Sequence, residues 1–394
     1  RIDTVIYVPY EFWKEFLEGE NGIYQVAKEI GKTGFITFGE AWVRSDPFSD
    51  SGEKVIREFF ENGMNSMLDF PLNIELRSIF KEGKPTANLT YRLEKRSEYF
   101  DPSRMLTFVD NHDMERFLKG GGLANLKQAL AFIFTVPGIP VVYYGTEQGF
   151  NETRAAMFAG GFQSGDMDHY NSNSELFKYI QELIMLRKNN PVFRYGTLKV
   201  LKDDSNGPGI FAYSLELEGE KVFVIMNTSG ERRILANMDT GMEIGEVVKP
   251  LYAFNSLFKD YTVESDGNLV ITMNPRSVYV GIATEEKKSV TVPDIEFNVD
   301  LEDNQKIDSN YTITGNAKGA TSARIIFDTR IEDGKDIEII DGKWFYEWDI
   351  SKFDPGVHSI LFKVYGQTRR DSIYSKDYKV VLDIPEIVLF SCED

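Results

Sequence analysis

The feature that most constrains the fold is the alternation of short apolar runs with amphipathic stretches over the first 190 residues. The strand-like runs are residues 34–42, 105–113 and 139–145. The helical stretches, in which apolar residues recur every three or four positions, are residues 53–68, 123–136 and 174–190. Strands that alternate with helices form parallel sheets. This half of the chain is therefore predicted to be an α/β domain.

Charged and polar residues stand where these strands end. Asp3 lies at the start of the chain in RIDTVIYV, Glu40 ends GFITFGE, and Asp113 ends MLTFVDNHD. In a (β/α)₈ barrel the reactive side chains lie at the C-terminal ends of the strands. The pattern thus favours a barrel with its chemistry at one edge.

The pattern changes after Pro191. Short runs with a period of two, separated by Gly, Asn and Asp, predict a small all-β domain over residues 191–285. A charged linker, EEKKSVTVPD, leads into a second all-β region over residues 286–394, which is predicted to be an immunoglobulin-like sandwich. This last domain either packs its aromatic residues in a core or uses them to bind glycan.

An aromatic stripe is the basis for those two interpretations. Trp344, Tyr346 and Trp348 occur at every second position, so they share one face of a strand. Rings on an exposed face would stack on sugars, whereas rings on an inner face would fill the sandwich. The packing interpretation is favoured.

Charge and cysteine content exclude several classes of function. The net charge of −18 disfavours nucleic acid or an anionic membrane as a partner, because both bind to basic surfaces. Cys392 is the only cysteine, so neither an internal disulfide nor a cysteine zinc site can form. No apolar run approaches the ~20 residues that span a bilayer.

The three carboxylates fit one chemistry in particular. Cleavage of a glycosidic bond uses one carboxylic acid to protonate the leaving oxygen and one carboxylate on the other side of the sugar. A further fixed anion would stabilise the positive charge that develops on the ring. Taken singly, however, each acid is more typical of a surface or salt-bridged carboxylate.

Motif context and order add to this interpretation. R-x-D, G-E-A-W and F-V-D-N-H-D occur in that order, followed by GIPVVYYGTEQG (138–149) and LIMLRKNNPVFRYG (183–196). Together they resemble the ordered motifs of the alpha-amylase family of glycoside hydrolases. The resemblance implies that residues 1–190 hold strands 4–8, the C-terminal half of the (β/α)₈ barrel, followed by two small all-β sandwich domains. It also implies that the N-terminal half of the barrel comes from the same longer chain.

The resemblance carries over to five site residues. Asp3 matches the nucleophile, Glu40 the general acid/base, and Asp113 the third carboxylate, which holds sugar hydroxyls. Arg1 matches the arginine that pairs with the nucleophile and keeps it ionised. His112 matches a histidine that hydrogen-bonds the sugar in the cleavage subsite.

Some residues depart from the family pattern or permit two interpretations. Ile6 and Tyr7 stand where many members carry Lys-His, so the resemblance does not fix the substrate preference. Trp42 either stacks on a sugar or packs under the barrel rim. Arg116 fits an arginine with a structural role.

The function implied is retaining hydrolysis of α-1,4-glucosidic bonds in starch, maltodextrins or cyclodextrins. One alternative is a 4-α-glucanotransferase that uses the same carboxylates. Another is a non-catalytic carbohydrate-binding protein on the same fold, which the presence of all three carboxylates disfavours. The partner is an α-glucan in each case.

Cofactor and location follow from the same resemblance. No cofactor is required for the chemistry. A structural calcium is common in the family, although most of its ligands come from segments absent here. The backbone carbonyl of Tyr7 and the acidic loop (residues 44–53) are the candidate ligands, and a solvated loop is the favoured interpretation of the latter. The expected location is extracellular, cell-surface or periplasmic, or cytoplasmic for a cyclomaltodextrinase type.

Overall fold

The computed structural model describes residues 1–264, 267–368 and 371–384, so Cys392 lies outside the described residues. The chain divides into two compact units. The first is Arg1–Val200 with Tyr213–Val224, and the second is Leu201–Ala212 with the described residues from Ile225 onward. This division does not decide the predicted boundaries after residues 190 and 285, which stay predictions.

The first unit contains a four-stranded parallel sheet. Its strands are β1 (Phe38–Gly39), β2 (Ser66–Leu68), β3 (Met105–Phe108) and β4 (Ile139–Val141), in the spatial order β1-β2-β3-β4. Ile2 extends the parallel pairing through an isolated bridge to Gly39. All residues of β2 and β3 are buried, as expected for parallel strands covered on both faces.

Helices connect and follow these strands. They are α1 (Tyr10–Glu18), α2 (Ile23–Glu29), α3 (Ser51–Glu61), α4 (Phe70–Phe80), α5 (Ala87–Tyr99), α6 (Leu123–Thr135), α7 (Glu175–Asn189) and α8 (Val192–Tyr195). Side chains define two of the starts. The Ser174 hydroxyl accepts a hydrogen bond from the Phe177 amide at 3.1 Å, and Asp69 accepts one from the Leu72 amide at 3.1 Å.

The predicted helix over residues 53–68 is wrong in its second half. Helix α3 ends at Glu61, Gly63 takes a left-handed conformation with φ 94°, and residues 66–68 form β2. A central strand has no polar face, so its buried residues can be mistaken for the continuation of an amphipathic helix. The predicted strands are also shorter than expected, and α4 and α5 were not predicted.

After α8 the described residues form strands, together with one 3₁₀ turn at Ile350–Lys352. Its first strands are β5 (Thr197–Lys202), β6 (Ile210–Leu217), β7 (Glu220–Asn227), β8 (Arg233–Leu235), β9 (Glu246–Phe254), β10 (Tyr261–Thr262), β11 (Ile271–Met273) and β12 (Ser277–Lys287). Six of them form a sheet in the order β10-β9-β12-β7-β6-β5, and β8 pairs with β11.

The remaining strands form a sandwich. They are β13 (Glu296–Val299), β14 (Gln305–Ile307), β15 (Tyr311–Lys318), β16 (Ser322–Phe327), β17 (Lys335–Glu338), β18 (Lys343–Trp348), β19 (Gly356–Tyr365), β20 (Ser372–Tyr374) and β21 (Tyr378–Leu382). One sheet has the order β13-β15-β18, and the other has the order β14-β21-β19-β16-β17 with β20 beside β19.

The aromatic stripe lies largely inside this sandwich. Trp344 is 3% exposed and Trp348 is 1% exposed, and both belong to the cluster of buried residues that both sheets contribute. Tyr346 packs against the same cluster, while Phe345 on the opposite face is exposed. The rings therefore form core, as the favoured interpretation expected. Within the described residues, no helix is long and apolar enough to cross a membrane.

Candidate active site

Backbone pairing places two of the predicted acids side by side. The Ile2 amide donates to the Phe38 carbonyl at 2.9 Å, and the Glu40 amide donates to the Ile2 carbonyl at 2.9 Å. Asp3 and Glu40 thus each follow the last paired residue of adjacent parallel segments. Such positions converge at the C-terminal edge of a parallel sheet.

Gly39 permits this close approach. A Cβ atom there would lie 2.8 Å from the Met67 sulfur and 3.1 Å from both methyl groups of Val5. A contact of 2.8 Å is shorter than real Cβ contacts, so a larger residue at position 39 would require the buried Met67 side chain to move.

Arg1 connects the members of the site. Its Nη2 donates to Glu40 Oε2 at 2.7 Å, lies 3.6 Å from Asp3 Oδ1, and lies 3.5 Å from His112 Nε2. Sequence analysis expected Arg1 to pair with Asp3, and its shorter contact is with Glu40. The guanidinium of Arg1 thus brings together three of the other predicted residues, Asp3, Glu40 and His112.

Asp3 and Glu40 differ in their protonation. The Glu40 side chain is 6% exposed and the Asp3 side chain is 64% exposed. Burial, followed by the hydrogen bond with Asp3, raises the pKa of Glu40 to about 7. The same hydrogen bond is the main cause that lowers the pKa of Asp3. A hydrogen bond between two carboxyl groups needs one proton, and these shifts place it on Glu40.

Asp113 is held by two neighbours. His112 Nε2 lies 2.9 Å from Asp113 Oδ2, and Arg154 Nη2 donates to Asp113 Oδ1 at 2.5 Å. Arg154 Nε also donates to the His112 carbonyl at 2.8 Å. Sequence analysis missed Arg154, because it lies in a loop with no periodic pattern and no motif that would have identified it.

Two further acids at strand ends have structural partners. Asp69, after β2, pairs with Arg96 at 2.6 Å, and each side chain is 1% exposed. Asp110, after β3, lies 3.6 Å from the fully buried Arg116. Arg116 also donates to the Tyr144 carbonyl at 2.5 Å, in keeping with its expected structural role. These acids stabilise the sheet edge, whereas Asp3, Glu40 and Asp113 face one another.

The aromatic residues beside the acids have mixed surroundings. The Trp42 ring stacks on Phe70 with centroids 5.1 Å apart, and about half of its side chain stays exposed. Both expected roles of Trp42 thus remain open, since one face packs and the other is accessible. Tyr7, at one of the positions that depart from the family pattern, is 83% exposed.

Two of the three carboxylates in the acidic loop pair with cations of the protein. Asp50 pairs with Lys54 at 2.8 Å and accepts a hydrogen bond from Tyr99 at 2.6 Å. Glu53 is fully buried in an ion pair with Arg92. Protein cations thus neutralise Asp50 and Glu53, whereas the third carboxylate of the loop, Asp46, is exposed. No group of three or more His, Cys, Asp or Glu residues that could hold a metal occurs within residues 1–264, 267–368 and 371–384.

Parts of this chain are similar in sequence to known proteins. Residues 10–168 match the family model of the alpha amylase catalytic domain. A cyclomaltodextrin glucanotransferase of Paenibacillus macerans is 34% identical over 205 residues, which covers 50% of this chain and 26% of that protein. An alpha-amylase of Niallia circulans is 31% identical over 208 residues, which covers 50% of this chain and 34% of that protein. The chain thus matches about a quarter to a third of the length of these curated relatives.

The fold is shared with solved structures. An Anoxybacillus alpha-amylase superposes with a TM-score of 0.59 at 23% identity, covering 73% of this chain and 59% of that one. Similarity at this identity shows the fold alone.

Proposed function

This chain belongs to the alpha-amylase family of enzymes acting on O-glycosyl bonds, and from that membership we propose that it cleaves α-1,4-glucosidic bonds in α-glucans with retention of configuration. The substrates proposed are starch, maltodextrins or cyclodextrins. The observation that carries the proposal is the placement of Asp3 and Glu40 around one guanidinium nitrogen: Arg1 Nη2 lies 2.7 Å from Glu40 Oε2 and 3.6 Å from Asp3 Oδ1. The raised pKa of Glu40, caused chiefly by burial, agrees with its role as the acid.

In the first step, the Glu40 carboxylic acid gives its proton to the glycosidic oxygen while the Asp3 carboxylate attacks the anomeric carbon from the other face. The bond from carbon to the leaving oxygen breaks, and a glycosyl ester forms on Asp3. Asp113, oriented by His112 and Arg154, stays anionic beside the positive charge that develops on the ring.

In the second step, the Glu40 carboxylate takes a proton from water, and the oxygen of that water attacks the anomeric carbon. The ester bond to Asp3 breaks, which regenerates its carboxylate and restores the proton to Glu40. Two inversions at one carbon give net retention.

The closeness of the two acids supports this route over an inverting one. The carboxyl groups of an inverting pair lie ~6.5–9.5 Å apart, which leaves room for a water molecule. Arg1 Nη2 instead lies 2.7 Å from Glu40 Oε2 and 3.6 Å from Asp3 Oδ1, so the two carboxyl groups lie within reach of one nitrogen atom. The difference in their pKa values supplies one acid and one nucleophile, as two such roles require.

The alternative is transfer of the glycosyl group to a second sugar. It uses the same ester on Asp3, with a sugar hydroxyl in place of water. The observation that favours it is the 34% identity to a cyclomaltodextrin glucanotransferase.

The finer fold that goes with either activity is an arc of a (β/α)₈ barrel, corresponding to strands 4–8. Its support is the sequential order of four parallel strands, the Ile2 bridge at their edge, and the helices between them.

The test is product analysis with maltoheptaose. Hydrolysis with retention gives shorter chains whose new reducing ends appear first as the α-anomer in proton NMR. Products longer than maltoheptaose would establish transfer instead. Asp3→Asn should abolish turnover, because the ester cannot form.

A matched control separates a lost nucleophile from a damaged fold. Glu115→Gln removes an exposed acid that pairs with Lys119 at the surface, and it should leave turnover unchanged. First appearance of the β-anomer, or an active Asp3→Asn protein, would overturn the proposal. Structural calcium and export stay predictions.

A further inference from the structure

A groove of about 900 Å³ lies on the outer face of the larger sandwich sheet. Small-molecule sites commonly enclose about 300–1,000 Å³. Its floor is the side of β16, β17, β19 and β20 that faces away from the sandwich core. Alternate residues of the same strands, including Ile325 and Phe362, fill that core.

Register places the floor residues in two rows across the four strands. The first row contains the directly opposed residues Tyr374, Lys363, Arg324 and Asp336. The second row contains Ser372, Tyr365, Ser322 and Glu338. Since neighbouring strands lie about 4.8 Å apart, each row extends about 14 Å. The floor is thus long enough for an extended ligand.

Aromatic rings and one ammonium group share one end of the groove. Lys363 Nζ lies 5.4 Å from the centre of the Tyr365 ring and 5.3 Å from that of Tyr374. Burial lowers the pKa of Lys363, and the charge of the Glu264 carboxylate opposes that effect. The two rings position the ammonium group, whose N–H donors can pair with a ligand.

The other charges of the groove cancel. Arg324 pairs with Asp336 at 2.8 Å, and Arg232 pairs with Glu332 at 3.2 Å. Glu338 supplies an acceptor that offsets the charge of Lys363. A groove without net charge has no preference for an anionic or cationic ligand, and it presents donors and acceptors side by side.

We propose that this groove binds a segment of a neutral glucan, as a site on the second unit separate from the carboxylates of the first. Sugar hydroxyls both donate and accept, so separate hydroxyls of one segment can pair with the Lys363 ammonium and the Glu338 carboxylate. The apolar face of a glucan ring suits the partly exposed Tyr365 and Ile331 side chains. The choice of an α-glucan rests on the proposed function.

The test is electrophoresis in native gels that contain soluble starch. The protein carries Asp3→Asn so that it does not digest the matrix. Tyr365→Ala and Lys363→Met remove the ring and the ammonium, and Met keeps most of the aliphatic stem of Lys363. Each change should weaken retardation by starch about tenfold, measured as the apparent Kd from mobility against starch concentration.

Phe345→Ala is the matched control, because it removes an exposed ring from the other sheet of the same sandwich, outside the groove. It should leave retardation unchanged. Gels without starch and unchanged thermal midpoints establish that the groove variants remain folded. Retardation that survives Tyr365→Ala and Lys363→Met, or is lost in Phe345→Ala instead, overturns the proposal.

A second measurement separates this site from the cleavage site. In the protein with Asp3 intact, the groove variants should cleave maltoheptaose at the unchanged rate. Loss of cleavage together with retardation would contradict a separate site. In another outcome, the protein with Asp3 intact cleaves no glucan while its retardation by starch still depends on Tyr365 and Lys363. That result would contradict the proposed activity and support glucan binding in the groove.

Discussion

Asp3 and Glu40 are joined by a hydrogen bond, and it moves their pKa values in opposite directions. The pKa of Glu40 is raised to about 7, chiefly by burial. The pKa of Asp3 is lowered, chiefly by the hydrogen bond with Glu40. Each carboxyl group thereby favours the protonation state that the other needs. The pair is prepared for acid catalysis and nucleophilic attack before any bond is broken.

The pH dependence of cleavage follows from this pair. We expect kcat/KM to fall as the pH rises through about 7, because Glu40 must carry a proton to act as the acid. On the acidic side of the pH profile, kcat/KM should fall only well below pH 7, since the pKa of Asp3 is lowered. Arg1→Gln removes a charge that opposes protonation of Glu40, so the basic limb should move to higher pH. A basic limb that does not move in Arg1→Gln would contradict this coupling.

Glu40→Gln should make the rate depend on the leaving group. Maltodextrin cleavage should fall by about 10²–10⁴-fold, the usual contribution of a general acid. A glycosyl fluoride needs little protonation, so it should still react and leave the ester trapped on Asp3, detectable by mass spectrometry of the intact protein. A Glu40→Gln protein that cleaved maltodextrin at a near-normal rate would show that the acid is another residue.

Asp69→Asn should destabilise the first unit strongly. The substitution keeps a good helix cap for α4 but leaves the buried Arg96 without its counter-ion. Breaking a buried pair in this way costs about 3–5 kcal/mol. Urea unfolding measures the loss. Glu115→Gln, which breaks an exposed pair, should change stability by less than about 1 kcal/mol, and equal effects of the two variants would refute the argument.

The second unit should lose stability as the pH rises above the ordinary pKa of histidine. Burial disfavours the charged form of His358, but hydrogen bonds to Asp328 and to the Asp354 carbonyl raise its pKa overall. A raised pKa means that the folded state binds the proton more tightly than the unfolded state. The stabilisation is therefore full below about 6.5 and is lost as the pH passes the pKa of the folded state.

His358→Gln is the variant that tests this dependence. The thermal midpoint of the variant should change less between pH 6 and pH 8 than that of the unchanged protein. The reason is that the substitution removes one titrating group, whose unperturbed pKa is ~6.5. Asp204 also has a raised pKa, about 6, so part of the dependence should persist. An identical pH dependence in the variant would rule out His358 as its source.

The sequence allowed prediction of the acids of the site but not of all their partners. Asp3, Glu40 and Asp113 stand in short motifs, and strand–helix alternation predicts that they meet at one edge. Arg154 reaches Asp113 from a loop, where no periodicity links sequence position to direction. Asp69 was missed together with β2, because a buried central strand has no alternating pattern.

The sandwich shows the same limit in a different way. A period of two placed Trp344 and Trp348 on one face but did not state whether that face is inner or outer. Whether a face is buried depends on which sheet packs against it. That packing is decided by strands that are distant in the sequence. The groove on the outer sheet likewise results from register among β16, β17, β19 and β20, which no single segment encodes.

Gly39 has a consequence for how this protein can vary. It contributes no reactive atom, yet a methyl group there would require the buried Met67 side chain to shift. In a library of single substitutions selected for activity, position 39 should therefore be depleted together with position 40. A ranking of residues by mutational sensitivity would then count a glycine among the catalytic groups, for steric reasons alone.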